Sequence, residues 1–271
     1  MLPVALTIAG SDSGGGAGIQ ADLKTFAALG VHGTSAITAI TAQNTVTVTA
    51  IEELPPAIIT AQIEAVVTDL HPAAAKTGML SSPAIIETVA EAVRRFALER
   101  LVVDPVMVAK GGARLLREDA VDALRSFLLP LAAVVTPNLP EAEVLLGRPV
   151  GTLEEREQAA RDLVALGPRT VVVKGGHAEG EAVDVFFDGR DLVHLPALRI
   201  ETKNTHGSGC AFSAAIAAGL AKGLDPLQAV RQAKVYITEA IRTSLALGEG
   251  HGPVNSGLVD QSGLGRAQKN G

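Results

Sequence analysis

Short apolar runs alternate with longer amphipathic stretches along most of the chain, and this alternation limits the possible folds more than any other feature. Several of the apolar runs lack period-two alternation, which is typical of strands covered on both faces. A repeated strand-helix order favours an α/β fold, with a central, mostly parallel sheet flanked by helices on both faces. The predicted strands are residues 4–9, 35–41, 73–77, 101–104, 133–136 and 170–174, and the predicted helices are residues 18–29, 56–70, 82–98, 118–128, 153–166, 207–222 and 226–247.

Two stretches depart from this order. Residues 45–51 alternate threonine with valine, and residues 183–195 carry an Asp188-Gly189 turn between two short runs, so both are predicted as hairpins or additions at a sheet edge. The first is a candidate small β flap over one side of the sheet. No linker divides the chain, so we expect a single domain over residues 1–247 and a polar, glycine-rich tail over residues 248–271 that is partly disordered.

Charge and cysteine content exclude several classes of protein. The 271 residues carry a formal net charge of -6, whereas a protein that binds nucleic acid or an anionic membrane presents a basic face. One cysteine cannot form an internal disulfide or a zinc-thiolate cluster. No apolar run approaches the ~20 residues of a membrane span, and the apolar start is too short for a secretory signal. We therefore expect a cytoplasmic protein with no nucleic-acid or membrane partner.

The segments that follow the predicted strands hold the residues suited to chemistry, because ligands of open parallel sheets bind outside the carboxyl ends of the strands. The first such segment, residues 10–18, has glycines at 14, 15, 16 and 18 directly before a helix. Glycines allow close backbone approach to a ligand, and a helix N-terminus offers free N–H groups. The spacing matches neither a dinucleotide fingerprint nor a P-loop. A tight turn without a ligand is the alternative interpretation.

Residues 204–210, Asn-Thr-His-Gly-Ser-Gly-Cys, are the strongest single motif. At the start of a helix, Gly207, Ser208 and Gly209 would present consecutive backbone N–H groups to the charge that develops on a transferred phosphoryl group. Cys210 would lie in the first helical turn, where the helix dipole and a bound cation lower the pKa of a thiol, so that a thiolate could remove a proton from a substrate hydroxyl. A lone cysteine in a helix is more often buried filler, but the motif around it favours function.

Oxygen ligands and a lysine follow the later strands. Asp104, Asn138 and Glu141 are hard ligands suited to hold Mg²⁺ and its waters beside nucleotide phosphates. Asn138 and Glu141 also suit the cap of a helix that begins near Pro140, and the two roles are compatible. Lys174 ends an apolar strand, where a buried ammonium needs an anionic partner. A nucleotide phosphate and a structural carboxylate would both serve.

Two other kinds of site are disfavoured. The six histidines are scattered without metal-ligand spacing, although His177 and His206 lie in predicted site loops and are candidates to line the pocket. The sequence has no Gly-x-Ser-x-Gly elbow between a strand and a helix, as serine hydrolases do. Gly207-Ser208-Gly209 is only superficially similar to that motif.

Five segments carry a family resemblance: residues 10–25, 104–112, 136–142, 173–177 and 204–218. As a set they resemble the bacterial hydroxymethylpyrimidine/phosphomethylpyrimidine kinases of thiamine biosynthesis, and the resemblance extends over most of the chain, to about residue 247. It implies a ribokinase-like fold with a small β flap near the active site, and commonly a homodimer. It also implies ATP- and Mg²⁺-dependent phosphorylation of 4-amino-5-hydroxymethyl-2-methylpyrimidine and then of its monophosphate.

The resemblance implies a substrate pocket. Gln43 would hydrogen-bond the aminopyrimidine, since its amide is both donor and acceptor. The ring would lie among Gly10, Ala17 and Val106, with Met79 as a neighbour.

The resemblance also implies a catalytic and nucleotide side. Cys210 matches the position of the family's base, and Lys174 and Thr205 would belong to the nucleotide. Ser208 is the one departure in this motif, because the family usually has threonine there; the hydroxyl is retained.

Alternative functions stay open at this stage. Pyridoxal and pyridoxine kinases carry nearly the same motifs and phosphorylate a ring alcohol of similar size. A non-catalytic pyrimidine-binding protein is a second alternative, and the presence together of Cys210, Asp104 and the glycine motif disfavours it. The glycine spacing argues against a nicotinamide-dependent oxidoreductase.

Overall fold

The computed structural model describes residues 2–109, 112, 115–117, 119–177 and 182–257. Its strands are β1 Val4–Asp12, β2 His32–Gln43, β3 Val48–Glu53, β4 Ala74–Thr77, β5 Leu101–Val103, β6 Val134–Val135, β7 Val171–Val173, β8 Asp184–Phe187 and β9 Leu192–Leu195. They form one sheet in the order β3-β2-β1-β4-β5-β6-β7-β8-β9. The six strands from β2 to β7 in this order are parallel, and β3, β8 and β9 are antiparallel to their neighbours.

Helices cover both faces of the sheet. They are α1 Gly18–Ala28, α2 Pro56–Leu70, α3 Pro83–Arg95, α4 Ala120–Ala123 with a π-helical turn after it over Leu124–Leu128, α5 Leu139–Leu146, α6 Leu153–Val164, α7 Ser208–Ala221 and α8 Pro226–Arg242. One face packs against α1, α7 and α8, and the other against α2 to α6. Within the described residues, none of these helices combines the length and the apolar character that crossing a membrane requires.

Neighbouring residues of the central strands contribute to different cores. Val102 packs into the core beneath α1, α7 and α8, whereas Leu101 and Val103 pack into the core on the opposite face. Successive side chains of a strand point to opposite faces, so a strand covered on both sides must be apolar throughout. The α/β fold class predicted from these uninterrupted runs is confirmed.

Both departures from the strand-helix order are hairpins at sheet edges, as predicted. At one edge β2 pairs with β3, which is largely exposed and is the predicted β flap. At the other edge β8 pairs with β9 across the Asp188-Gly189 turn, where Gly189 has a φ of +89°. Glycine supplies this left-handed conformation without strain.

The helix predicted over residues 82–98 ends early, at Arg95. Ala97 takes a φ of +51°, and the N–H of Leu98 donates to the carbonyl oxygen of Val93 at 3.0 Å. These contacts form a Schellman-type end, which closes the helix before its apolar pattern stops.

The packed part of the chain extends beyond residue 247, the predicted end of the domain. Val254 is 2% exposed and belongs to the core beneath α7 and α8. The hydroxyl of Tyr236 donates to the carbonyl oxygen of Ser256. Residues up to 257 therefore belong to the domain, and the rest of the predicted tail, residues 258–271, lies outside the described residues.

Candidate active site

A cavity of about 680 Å³ opens at the carboxyl ends of the parallel strands. The loops that follow these strands line it, together with the N-terminus of α7 and one face of α8. Its volume is within the range of small-molecule sites. Most residues that the sequence nominated for the site line this one cavity: Gly10, Ala17, Gln43, Met79, Asp104, Val106, Asn138, Glu141, Lys174, Thr205, Gly207, Ser208, Gly209 and Cys210. Gly14, Gly15 and Gly16 of the first loop, and His177, are not among the lining residues.

The carboxylate of Asp12, the last residue of β1, holds the first loop. Its Oδ1 accepts the N–H of Gly14 at 2.8 Å, and its Oδ2 accepts the N–H groups of Gly16 and Ala17 at 3.0 and 2.8 Å. Burial opposes ionisation of this carboxyl, but hydrogen bonds from His206 and from the loop backbone outweigh it and hold its pKa below the ordinary value. The loop is therefore a tight turn and a wall of the cavity at once.

Residues 13–18, hereafter the substrate loop, pack directly against residues 205–209, hereafter the anion-hole loop. Gly207 has a φ of +77°, and an added Cβ there would lie 1.8 Å from the carbonyl oxygen of Gly16. Both the backbone angle and the close approach require glycine. The two glycine-rich motifs thus meet backbone to backbone.

The start of α7 leaves N–H groups for a ligand. No described side chain caps this helix. The N–H of Ser208 donates to the carbonyl oxygen of Thr205 at 3.2 Å, whereas the N–H groups of Gly207, Gly209 and Cys210 have no partner among the described residues. Unpaired amides at a helix N-terminus attract an anion.

The thiol of Cys210 lies beside the substrate loop. The backbone N–H of Gly18, at the start of α1, lowers the pKa of this thiol, which lies in the first turn of α7. Burial nevertheless raises the pKa of this thiol to about 11, against the attraction of Lys76. The predicted lowering of the pKa is therefore wrong for the protein alone, because burial of the thiol outweighs the effects of Lys76 and of the Gly18 N–H.

A buried ion pair that the sequence did not predict lies close to Cys210. Lys76 Nζ donates to Asp22 Oδ1 and Oδ2 at 3.0 and 2.8 Å, and both side chains are fully buried. The hydroxyl of Thr7 donates to the same carboxylate at 2.6 Å. Burial disfavours the ammonium, but Asp22 outweighs it and raises the pKa of Lys76. A lysine inside an otherwise apolar predicted strand was the available signal, since a buried ammonium needs an anion.

Lys174 lies between two buried carboxylates. Its Nζ is 3.0 Å from Asp104 Oδ1 and 3.9 Å from Glu141 Oε2. Of the two predicted partners, a nucleotide phosphate and a structural carboxylate, the protein itself therefore supplies the carboxylate. Burial opposes the charge of Lys174, but the carboxylates outweigh it and raise its pKa. Burial likewise opposes ionisation of Asp104, and Lys174 holds its pKa below the ordinary value. At Glu141 burial prevails and raises the pKa to about 7.

The residues predicted as cation ligands also have structural partners. Asn138 Oδ1 accepts the N–H of Glu141 at 2.9 Å, and Glu141 Oε2 accepts the N–H of Asn138 at 2.8 Å, which is the predicted cap of α5. Asp104 accepts hydrogen bonds from Lys174 and Ser213. Among the described residues, no group of three or more His, Cys, Asp and Glu side chains could hold a metal ion by itself.

Gln43 ends β2 at the base of the flap and lines the cavity. The hydroxyl of Thr41 lies 3.1 Å from its Oε1, which orients the amide. Ser13 Oγ accepts the backbone N–H of Gln43 at 2.8 Å and donates to its carbonyl oxygen at 2.7 Å. The flap and the substrate loop are therefore joined at this residue.

One wall of the cavity has no counterpart in the predicted site. It is formed by α8 and by residues 197–200. Lys234 on α8 donates to Asp184 Oδ2 at 2.7 Å, while Ile237 and Ile241 add apolar surface. An amphipathic helix pattern does not show which part of the helix borders a cavity, so the sequence held no signal for this wall.

Known proteins similar to this chain are named as pyrimidine kinases or pyridoxal kinases. The family model described as phosphomethylpyrimidine kinase matches residues 12–255. A hydroxymethylpyrimidine/phosphomethylpyrimidine kinase from Rhizobium meliloti is 57% identical over 94% of this chain and 97% of its own length.

Two solved structures are similar over nearly the whole fold. An ADP complex of Bacillus subtilis pyridoxal kinase has a TM-score of 0.88 at 42% identity, covering 94% of this chain and 98% of that one. A phosphomethylpyrimidine kinase from Clostridium difficile has a TM-score of 0.79 at 46% identity, covering 88% and 99%. The predicted ribokinase-like fold is confirmed. The chain belongs to the phosphomethylpyrimidine kinase family, whose model matches it from the end of β1 to the segment that follows α8.

Proposed function

We propose that this protein transfers a phosphoryl group from ATP to 4-amino-5-hydroxymethyl-2-methylpyrimidine and then to its monophosphate, giving the pyrimidine diphosphate for thiamine biosynthesis. The family description and the relative from Rhizobium meliloti support both steps. The ADP complex of the Bacillus subtilis neighbour supports ATP as the donor.

One observation carries the proposal: a single cavity presents the amide of Gln43, the thiol of Cys210 and the unpartnered amides at the start of α7. A carboxamide can donate to and accept from the edge of an aminopyrimidine. A helix N-terminus stabilises the charge that develops on a phosphoryl group in transfer. Together these groups suit a small ring alcohol and a phosphoryl donor.

Cys210 is the proposed base for the hydroxymethyl group. A protonated thiol cannot accept a proton, so this role requires Cys210 to ionise once the ligands are bound. The ammonium of Lys76 and the N–H of Gly18 already favour the thiolate. A loose phosphoryl-transfer transition state needs positioning more than early proton removal. The phosphate of the second acceptor is ionised before it attacks, so the second step needs no base.

The proposed Mg²⁺ site lies beside Lys174. Asp104 and Glu141 share its ammonium, and Mg²⁺ is commonly held by one or two carboxylates with waters and phosphates, which this donor set fits. Asn138 Oδ1 and Glu141 Oε2 each accept one backbone N–H in the cap of α5. A carbonyl or carboxylate oxygen has a second lone pair, so we assign the cation contacts to Asp104, Asn138 and Glu141. When bound, Mg²⁺ would neutralise phosphate charge. Lys174 and Thr205, which line the cavity beside the start of α7, are assigned to the nucleotide.

A side-by-side assay of ATP consumption tests the substrate. We expect kcat/KM for the pyrimidine alcohol to exceed that for pyridoxal by about tenfold or more, because a site that hydrogen-bonds one ring edge rejects a ring that lacks it. Pyridoxal kinase is the second candidate, since the Bacillus subtilis neighbour is one. A preference for pyridoxal would reverse the assignment. Tight pyrimidine binding without ATP turnover would instead identify a non-catalytic binding protein.

Replacing Cys210 separates the two phosphorylation steps. C210A should lower kcat on the alcohol on the order of 100-fold, the usual contribution of a general base. The loss on the monophosphate should be much smaller, because that acceptor is already ionised. Steady-state assays on both acceptors, with thermal unfolding to check the fold, measure the difference. Unchanged turnover of the alcohol, or equal losses on both acceptors, would contradict the assigned role.

We also propose that the protein is a cytoplasmic homodimer, which is common in the family. The largely exposed strand β3 is at the edge of the sheet, and an open sheet edge is a template for pairing with a second copy. Light scattering on the purified protein tests this, because a monomeric mass at micromolar concentration would exclude the dimer.

A further inference from the structure

A hydrogen bond joins the two loops that build the cavity. His206 Nε2 lies 3.1 Å from Asp12 Oδ2, and both side chains are buried. The two residues are 194 positions apart in the sequence. Because an ionised carboxylate only accepts hydrogen bonds, Nε2 carries the proton. Neither residue has a role in the phosphorylation described above.

Asp12 is fixed in a single orientation. Besides His206, its carboxylate accepts the N–H groups of Gly14, Gly16 and Ala17, so four donors surround one group that is 2% exposed. Rotation of the carboxylate would break several of these bonds at once, and buried polar groups without partners are unfavourable. Because Asp12 is bound to three amides of the substrate loop, its hydrogen bond to His206 positions that loop as a unit.

His206 is held equally firmly from its other side. Its N–H donates to the carbonyl oxygen of Gly252 at 3.1 Å, and its own carbonyl oxygen accepts the N–H of Val254 at 3.0 Å. Its ring lies against Gly16, where an added Cβ would come within 2.4 Å of the ring Cδ2. The imidazole is thus a rigid spacer between the C-terminal segment and the substrate loop.

We propose that Asp12 and His206 are positioning residues for phosphoryl transfer, and that the hydrogen bond between them keeps the substrate loop aligned with the anion-hole loop. The inference rests on the proposed function, since alignment matters only if a phosphoryl group moves between these loops. Groups from both loops meet at the reacting centre. Ala17 and Gly18 line the same cavity as Cys210, and the unpartnered amides begin at Gly207.

The alignment depends on this bond because the direct contact between the loops has no preferred direction. Gly207 lies against the carbonyl oxygen of Gly16. This contact limits how closely the two loops approach each other, but it does little to prevent one loop from sliding along the other. A charge-assisted hydrogen bond adds distance and direction. Misplacement by about 1 Å can lower a rate roughly 100-fold, so a small slip of one loop would reduce turnover without removing any reacting group.

Four variants test the pair. H206L removes the donor and keeps an apolar side chain, while H206Q keeps an N–H donor near the position of Nε2. D12N removes the charge but keeps an acceptor oxygen, and D12N/H206L combines the two changes. Y236F is the matched control, because it removes a buried hydrogen bond to Ser256 in the same C-terminal segment and touches neither loop. For each variant, kcat, the KM values for the alcohol and for ATP, and the thermal midpoint are measured.

The positioning role predicts a specific pattern of losses. H206L should lower kcat about tenfold or more while KM for ATP changes less than about threefold, because geometry and not nucleotide binding is altered. H206Q should return kcat to within about threefold of the wild type. The double variant should lose less kcat than the product of the two single losses, since H206L alone already breaks the bond. Y236F should lower the thermal midpoint without a comparable loss of kcat.

Three results would overturn the inference: H206Q as slow as H206L, losses that multiply fully in the double variant, or a loss of kcat in Y236F that matches H206L at equal stability. Should H206L not fold, H206N, whose side chain is too short to reach Asp12, takes its place.

Amide hydrogen exchange separates this inference from the proposed function. Exchange of residues 13–18 should be at least about tenfold faster in H206L than in the wild type, whichever ring alcohol is the substrate, because the loop opens locally more often. Unchanged exchange would overturn the positioning role. Failure of the wild type to phosphorylate the pyrimidine would overturn only the proposed function.

Discussion

Cys210 lies in the first turn of α7, and the N–H of Gly18 at the start of α1 favours its thiolate. A helix dipole contributes about 0.3–2 kcal/mol to a charge at its end, which favours the thiolate. Burial raises the pKa of the thiol to about 11 all the same, because a desolvated anion is less stable than a desolvated thiol. At the scale of the residue, the chemistry of this cysteine is set by what surrounds it more than by its position in a helix.

Alkylation of the single cysteine reports this pKa directly. Only the thiolate reacts, so a pKa of about 11 leaves roughly one molecule in a thousand reactive at pH 8. The rate with iodoacetamide should therefore rise about tenfold for each pH unit between pH 7 and pH 10. Mass spectrometry of the ligand-free protein measures the rate, with C210S as the unreactive control. A plateau below pH 9 would contradict the raised pKa.

At the scale of the element, the N-terminus of α7 depends on a glycine that meets two requirements. Gly207 combines a φ of +77° with the close approach of the Gly16 carbonyl oxygen. Gly223, just beyond the other end of α7, has a φ of +86° and no atom within 4 Å of an added Cβ. The two glycines at the ends of α7 therefore share a positive φ, but only Gly207 lies against another backbone atom.

Alanine at these two positions separates backbone strain from loop contact. G223A should lower the free energy of unfolding by about 1 kcal/mol and leave kcat unchanged, since only the positive φ is disfavoured. G207A should lower it further and reduce kcat about tenfold or more, because the added Cβ pushes the anion-hole loop away from the substrate loop. Urea unfolding and steady-state kinetics measure both effects. Equal stability losses would show that the contact with Gly16 does not matter.

At the scale of the whole molecule, one buried ion pair links three elements. Lys76 on β4 meets Asp22 on α1, and Thr7 on β1 completes the shell of the carboxylate. The charged partners are 54 residues apart, so the pair forms only when sheet and helix pack together. An isolated charge in this position would be strongly destabilising.

Removing one partner of this pair tests its ionisation. K76M should lower the free energy of unfolding by roughly 3–5 kcal/mol, because Asp22 is left buried without a cation. The double variant D22L/K76M should be more stable than K76M alone, since it leaves no charge behind. Urea unfolding at a constant denaturant slope measures both values. A loss below about 1 kcal/mol in K76M would contradict a buried ionised pair.

The site residues that could be predicted are those that the strand order places at the carboxyl edge of the sheet. Asp104, Lys174 and Cys210 follow different strands or begin a helix, and the parallel sheet brings their loops to one edge whatever the details of packing. The pairing of Asp12 with His206 and of Asp22 with Lys76 was not predictable. In each pair, the tertiary structure decides which buried carboxylate lies beside which basic side chain. No local sequence pattern indicates these pairings, since the partners are 54 and 194 residues apart.

By itself, the sequence determined the alternating strands and helices, the two edge hairpins and the set of loops that line the cavity. These follow from local periodicity and from the shared direction of parallel strands. Only the tertiary structure decided that residues up to 257 belong to the domain, which partner each buried charge takes, and how far the pKa of Cys210 rises. Burial and ion pairing are contacts between distant segments, so their energies exist only once the chain has folded.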